Sequence, residues 1–196
     1  AHPSEVTRRF RLATTTSLRR AFVQGMQWCP ADLTEETLTE VAQDPTLRSD
    51  AINSLAQLQS PRAISLITEE LRSVEMKDRE RALVWVELSQ HLAFTEILVD
   101  LLDRTIAPPL AAASAEARAA QQNEQYLVLR AMGAVGGSRC CAAVVERWQA
   151  LHHKDAGVQV LLKESTPAAQ DAARRCIESL SDRGEVLCKA LKLSFV

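Results

Sequence analysis

At 196 residues the chain is long enough for one large domain or two small ones, and 46% hydrophobic content is enough for a continuous core. Only 4% of residues are aromatic, so the interior must be filled by Ala, Leu, Val and Ile, which suits closely approaching helices better than a sandwich or barrel. A net charge of −2 argues against generic duplex nucleic-acid binding, and the lack of any run of about 18 uncharged apolar residues argues against a membrane span.

The first 28 residues predict one amphipathic helix, with Val6, Phe10, Ala13, Leu18, Ala21, Phe22 and Gly25 close to one apolar stripe. Thr14 to Thr16 weaken it, because β-branched side chains lose rotamer freedom in a helix. Cys29-Pro30 ends it, since a residue before proline is pushed out of the α region. Charge is segregated: residues 1–29 carry +4, 30–137 carry −8 and 138–196 carry +2. The cations at the start are Arg8, Arg9, Arg11, Arg19 and Arg20, read from the sequence as free of nearby acids.

A second helix opens under Asp32 or Thr34 and runs through Leu38, Val41 and Ala42 to Asp44-Pro45. Asp44 then caps a third, in which Leu47, Ala51, Ile52, Leu55 and Leu58 recur at helical spacing. Ser60-Pro61 makes a corner, and Ala63, Ile64, Leu66, Ile67 and Leu71 form the helix after it. Ala82, Leu83, Val86 and Leu88 lead through a break to Ile97, Leu98, Leu101 and Leu102. Pro108-Pro109 and the Ala-rich stretch to Gln122 read as an insertion: a loop, then an N-terminal extension of the helix carrying Tyr126 and Leu129. Gly136-Gly137-Ser138-Arg139 is the next corner, followed by Ala142, Val144, Val145 and Trp148. The last pair begins at Pro167 with Ala172, Ala173, Cys176 and Ile177, turns at Asp182-Arg183-Gly184 and ends on Val186, Leu187, Ala190 and Leu191.

The segment from Ser49 to Leu71, two short helices broken at Ser60-Pro61, resembles a HEAT repeat, and Arg62 and Arg139 occupy matching places after their corners. The resemblance covers roughly residues 45–195 and implies an all-α, right-handed α-solenoid, a HEAT-like or armadillo-type superhelix of antiparallel helix pairs. An armadillo-like array or an irregular helical bundle stays open beside it. Residues 1–44 then form an N-terminal helical cap. The repeats fall at about 45–77, 78–107, 117–151 and 167–195, with 108–122 as the insertion, in one continuous domain. The expected core includes Leu55, Ile64, Leu66, Leu88, Leu98, Leu129 and Ile177.

Candidate chemistry is sparse. His152-His153 has no Cys, Asp or Glu at a metal-ligand spacing, and the paired His-Glu dipeptides of helical-repeat hydroxylases do not occur. Cys140-Cys141 lacks the two intervening residues of a redox motif, and both read as small helix residues with at least one buried. Gly133 to Gly137 lacks the strand and the Lys-Ser/Thr ending of a phosphate loop. Helical-repeat DNA glycosylases need a basic groove with a tryptophan and a catalytic carboxylate, a pattern that the acidic middle opposes.

No catalytic residue, metal or cofactor is therefore expected. The resemblance implies a non-catalytic protein-protein scaffold, or an adaptor or assembly subunit, with Arg8, Arg9, Arg11, Arg19, Arg20, Arg62 and Arg139 as the candidate partner-binding set. The alternative is an RNA- or DNA-binding repeat protein that uses the arginine-rich first helix. Five cysteines, an odd number without compact spacing, point to a reducing intracellular setting. The cytoplasm is the first expectation, with the mitochondrion as the alternative because the first helix is Ser/Thr-rich and poor in acids.

Overall fold

A computed structural model of the chain describes residues 3–107 and 114–180. These form eleven α-helices and two 3₁₀ turns, with no strand among the described residues. The chain divides into two compact units, Ala1–His91 and Leu92–Val196. The division falls inside the stretch 78–107 that the sequence reads as one helix pair.

The first unit holds α1 (Pro3–Leu12), α2 (Thr16–Met26), α3 (Ala31–Val41), α4 (Arg48–Gln57), α5 (Pro61–Leu71) and α6 (Met76–Ser89). The expected single N-terminal helix is thus two. Thr15 leaves the α region, and its hydroxyl accepts a hydrogen bond from the Leu18 amide at 3.3 Å. A threonine side chain that satisfies a helix-start amide competes with continuing the previous helix. The break also re-aims α2. Val23 and Met26 face the core, while Leu18, Ala21 and Gly25, placed on the apolar stripe by the sequence, do not.

The Ser60-Pro61 corner forms as expected. Ser60 Oγ accepts from the Arg62 amide at 3.1 Å, and Pro61, which has no N–H to leave unpaired, occupies the first turn of α5. Asp44 caps a turn rather than α4 itself, accepting from the Thr46 amide at 2.9 Å, and α4 starts only at Arg48.

α4 packs against α2, α3, α5 and α6, and α1 packs on α2 and α3. Being surrounded, α4 buries Ala51, Ile52, Leu55 and Ala56 completely. Its buried Ser54 hydroxyl donates to the Val23 carbonyl at 3.0 Å, so no polar group is stranded there.

Among the expected core residues, Leu55, Leu98 and Leu129 are fully buried and Ile177 is 5% exposed. Ile64, Leu66 and Leu88 are only half-buried. In α5 the inward line is Ala63, Ile67 and Leu71, spaced by four residues, so Ile64 and Leu66 fall to either side of it.

The second unit holds a 3₁₀ turn (Leu92–Phe94), α7 (Thr95–Ile106), α8 (Ala115–Val135), α9 (Ser138–Glu146), a second 3₁₀ turn (Trp148–Ala150), α10 (Lys154–Lys163) and α11 (Pro167–Glu178). The Ala-rich half of the insertion does extend α8 toward its N-terminus, and Ser114 Oγ caps it through the Ala117 amide at 3.1 Å. Gly136 and Gly137 make the sharp corner at φ of 73° and 91°, a region that side-chain-bearing residues avoid. Thr166 and Pro167 open α11 as Ser60 and Pro61 open α5.

Helix α10 is not anticipated by the sequence reading, and it alters the pairing. α8 packs on α7 and α10, while α9 packs on α7, α10 and α11. The expected final helix and its Asp182-Arg183-Gly184 corner lie outside the described residues, as does Cys188.

Candidate interaction surface

The arginines singled out from the sequence are, with one exception, engaged within their own unit. Glu5 receives Arg8 Nε and Nη2 at 2.8 Å each and Arg9 Nε at 2.8 Å, so the reading of these cations as free of nearby acids is overturned. Hydrogen bonds from Arg8, then Arg9, pull the Glu5 carboxyl down to about 2. Arg20 Nε meets Asp50 Oδ2 at 2.8 Å and its Nη2 donates to the Thr46 carbonyl at 3.3 Å. Arg19 lies over the Phe10 ring at 5.0 Å, with Nη1 3.9 Å from Asp44. Arg11 stands exposed.

Arg62 and Arg139, matched in the sequence, are matched in space as well. Each is the second residue of its helix, and each reaches an acid on the helix two earlier. Arg62 on α5 approaches Glu35 on α3 at 3.9 Å, and Arg139 on α9 approaches Glu96 on α7 at 3.3 Å. Ser60 also donates to Glu35. Below Arg139 the same two helices are joined by Arg147, whose fork meets both Asp103 oxygens at 2.5 and 2.8 Å. Arg147 is the more buried partner, and its hydrogen bonds hold the Asp103 carboxyl below the usual range.

In the first unit Arg48 does the equivalent work for α4 and α5, contacting Glu70 at 2.9 Å and Glu69 at 2.7 Å. Glu70 also takes Arg81 from α6 at 3.4 Å. These pairs neutralise cations that a nucleic-acid surface would need to present.

Cys140 is fully buried and Cys141 is 8% exposed. Burial pushes the Cys140 thiol up to about 11 and the Cys141 thiol upward as well, so neither is a thiolate at neutral pH. Cys176 is buried and raised for the same reason. His152 and His153 serve the start of α10: their amides donate to Gln125 Oε1 at 2.8 and 3.3 Å. No group of three His, Cys, Asp or Glu side chains that could hold a metal occurs among the described residues.

The described residues of the second unit include two hollows. The more polar one, of about 400 Å³, is lined by Thr105, Arg118, Gln121, Gln122, Gln149 and His152 among others. An apolar one of about 330 Å³ runs between α9 and α11, floored by Cys141, Ala142, Val145, Ala169 and Ala172. Small side chains make this groove, because alanine on both helices leaves room that leucine would fill. Glu164 and Glu146 belong to its lining, and Glu146 also receives Arg147 Nη1 at 2.8 Å. Glu164 Oε2 also accepts from the Gly137 amide at 2.8 Å, pairing the N–H of the residue that precedes α9.

The sequence pattern placed Val145 and Ala142 on a core face, yet both are exposed on the groove. Gln125 and Glu164, each 27 residues from an amide it pairs just before a helix, left no local signal. No described helix is long and apolar enough to cross a membrane. No protein-family model matches the chain, and no curated protein matches it.

Proposed function

We propose that this chain is a non-catalytic protein-binding module built as a HEAT-like array, acting as a scaffold or assembly subunit. The observation that carries the reading is the repeated two-helix step: Arg62 ties α5 to α3 as Arg139 ties α9 to α7. Alternate helices also pack on each other within each unit, α2 on α4 and α4 on α6, then α7 on α9 and α9 on α11. Such stepping is how stacked repeats extend a surface for binding.

The α9–α11 groove is the docking site in this reading. Its apolar floor takes small or medium apolar side chains, and Glu146 and Glu164, whose bonds to Arg147 and to the Gly137 amide leave further lone pairs, select a protein segment flanked by Lys or Arg. The nucleic-acid alternative is weaker, because most of its arginines are spent in pairs within their own units.

The test uses the full chain as bait in native extract, beside Val145→Glu, with cross-links mapped by mass spectrometry. Val145 is 40% exposed, so the substitution leaves the fold intact. A basic-flanked segment cross-linked to α9 or α11 in the parent and lost in the variant is the expected result. A set of partners indifferent to Val145→Glu refutes the groove. Salt-sensitive RNA or DNA retention on filters would favour the alternative.

A further inference from the structure

The outward face of α2 is the least expected surface in the molecule. Arg20 and Gln24 on one flank are drawn to Asp50 of α4, and Arg19 on the other lies over Phe10 of α1. Between these flanks lie Leu18, Ala21 and Gly25, in a sector roughly 60° wide at 3.6 residues per turn, and Trp28 stands in the turn just past the end of α2, its amide donating to the Gly25 carbonyl at 3.2 Å. Leu18 is 46% exposed and Trp28 is 82% exposed. Ala21 is exposed, and a Cβ added at Gly25 would meet nothing within 4 Å. A tryptophan held this far into solvent at the end of an uncharged apolar stripe marks a surface that is covered in use.

We propose that this face binds a second copy of the same chain, α2 against α2, running antiparallel about a two-fold axis. The stripe is self-complementary. Its spacings of three, four and three residues read the same from either end, so an antiparallel partner places Trp28 opposite the second copy's Leu18 and Ala21 opposite its Gly25. Large side chains meet at the two ends and small ones at the centre, which lets the helix axes approach to about 8 Å. This is the reciprocal pairing that an isologous interface requires.

Charge selects the same arrangement. The sector carries no charged residue, so like meets like without repulsion. Exposed Arg11 closes α1 just before the Leu18 end, and exposed Asp32 and Glu36 lie on α3 just after the Trp28 end. Antiparallel pairing brings the basic end of each copy to the acidic end of the other, whereas parallel pairing would set basic on basic. This surface is separate from the α9–α11 groove, and its test stands apart from that reading.

The experiment is sedimentation velocity on the full chain across a range of about 1–100 μM, the range expected for a small interface. The parent chain should shift from monomer toward dimer. Trp28→Ala should weaken self-association by roughly tenfold or more. Ala21→Glu, at an exposed position, and Gly25→Lys, where an added Cβ meets nothing within 4 Å, should each sediment as monomer with unchanged circular dichroism. Mixed together they should recover a heterodimer, because position 21 of one faces position 25 of the other. A parent that stays monomeric overturns the proposal. So does a dimer indifferent to Ala21→Glu, or a mixture no better than its components.

Discussion

Replacing Leu55 with alanine probes the reasoning on the first unit most directly. The side chain is 0% exposed, on the helix that packs against α2, α3, α5 and α6. Returning a leucine side chain to water loses about 1.5–3 kcal/mol, and the cavity left among four helices adds to that. Because neighbours on every side restrict collapse, the upper part of the leucine-to-alanine range applies, about 3–5 kcal/mol. Against a typical total of about 5–15 kcal/mol, that is a large fraction. Urea denaturation followed by circular dichroism measures it, with Leu33→Ala as the control. Leu33 is 45% exposed on α3 and should change stability by less than about 0.5 kcal/mol. Equal effects from the two substitutions, or an unmoved midpoint for Leu55→Ala, would show that α4 is not the buried centre of its unit.

Gly136→Ala should cost about 1–2 kcal/mol in the same assay, since its φ of 73° strains a residue with a Cβ even where space is free. In the native protein at pH 8, iodoacetamide should label half-buried Cys29 ahead of Cys140, Cys141 and Cys176, and mass spectrometry of early time points reads the order. The raised Cys140 thiol adds a pH effect: its contribution is present below pH 9 and declines as pH rises toward about 11, so alkaline titration should destabilise the parent more than Cys140→Ala. For Asp103 the sign is opposite. Its carboxyl is depressed by Arg147, so that contribution is present above pH 3.8 and lost below it, and Asp103→Asn should flatten the acid limb. With Asp103 half-exposed, the substitution should cost no more than about 1 kcal/mol at pH 7.

The corners were legible because their chemistry is local. Ser60-Pro61 and Gly136-Gly137 each contain the residues that satisfy or permit their own backbone geometry. The Thr14 to Thr16 run reads as a weakness in the sequence, and it is a full break in the fold because the Thr15 hydroxyl captures the Leu18 amide. Helix α10 escaped because Gly157 and a start without a side-chain cap hide its pattern. The Gly157 position lies within 3.1 Å of Trp148 and Leu151 side chains for any added Cβ, so close packing accounts for that glycine, while Gln125 of α8 pairs the His152 and His153 amides just before the helix.

The interaction surfaces followed a different logic. Apolar periodicity marked Leu18, Ala21 and Val145 as candidates for burial, and nothing in the pattern distinguishes a stripe that meets a neighbouring helix from one that meets solvent. Arginine clustering marked a basic face, yet Asp50 lies 30 residues from Arg20 and Glu96 lies 43 from Arg139. Sequence by itself determined the all-α class, the placement of most helices and their corners, since these depend on bonds spanning a few residues. Only the tertiary structure decided which cations are neutralised, which thiols are silenced and which apolar faces stay open. Those properties depend on the rotation of each helix about its own axis and on neighbours distant in the chain.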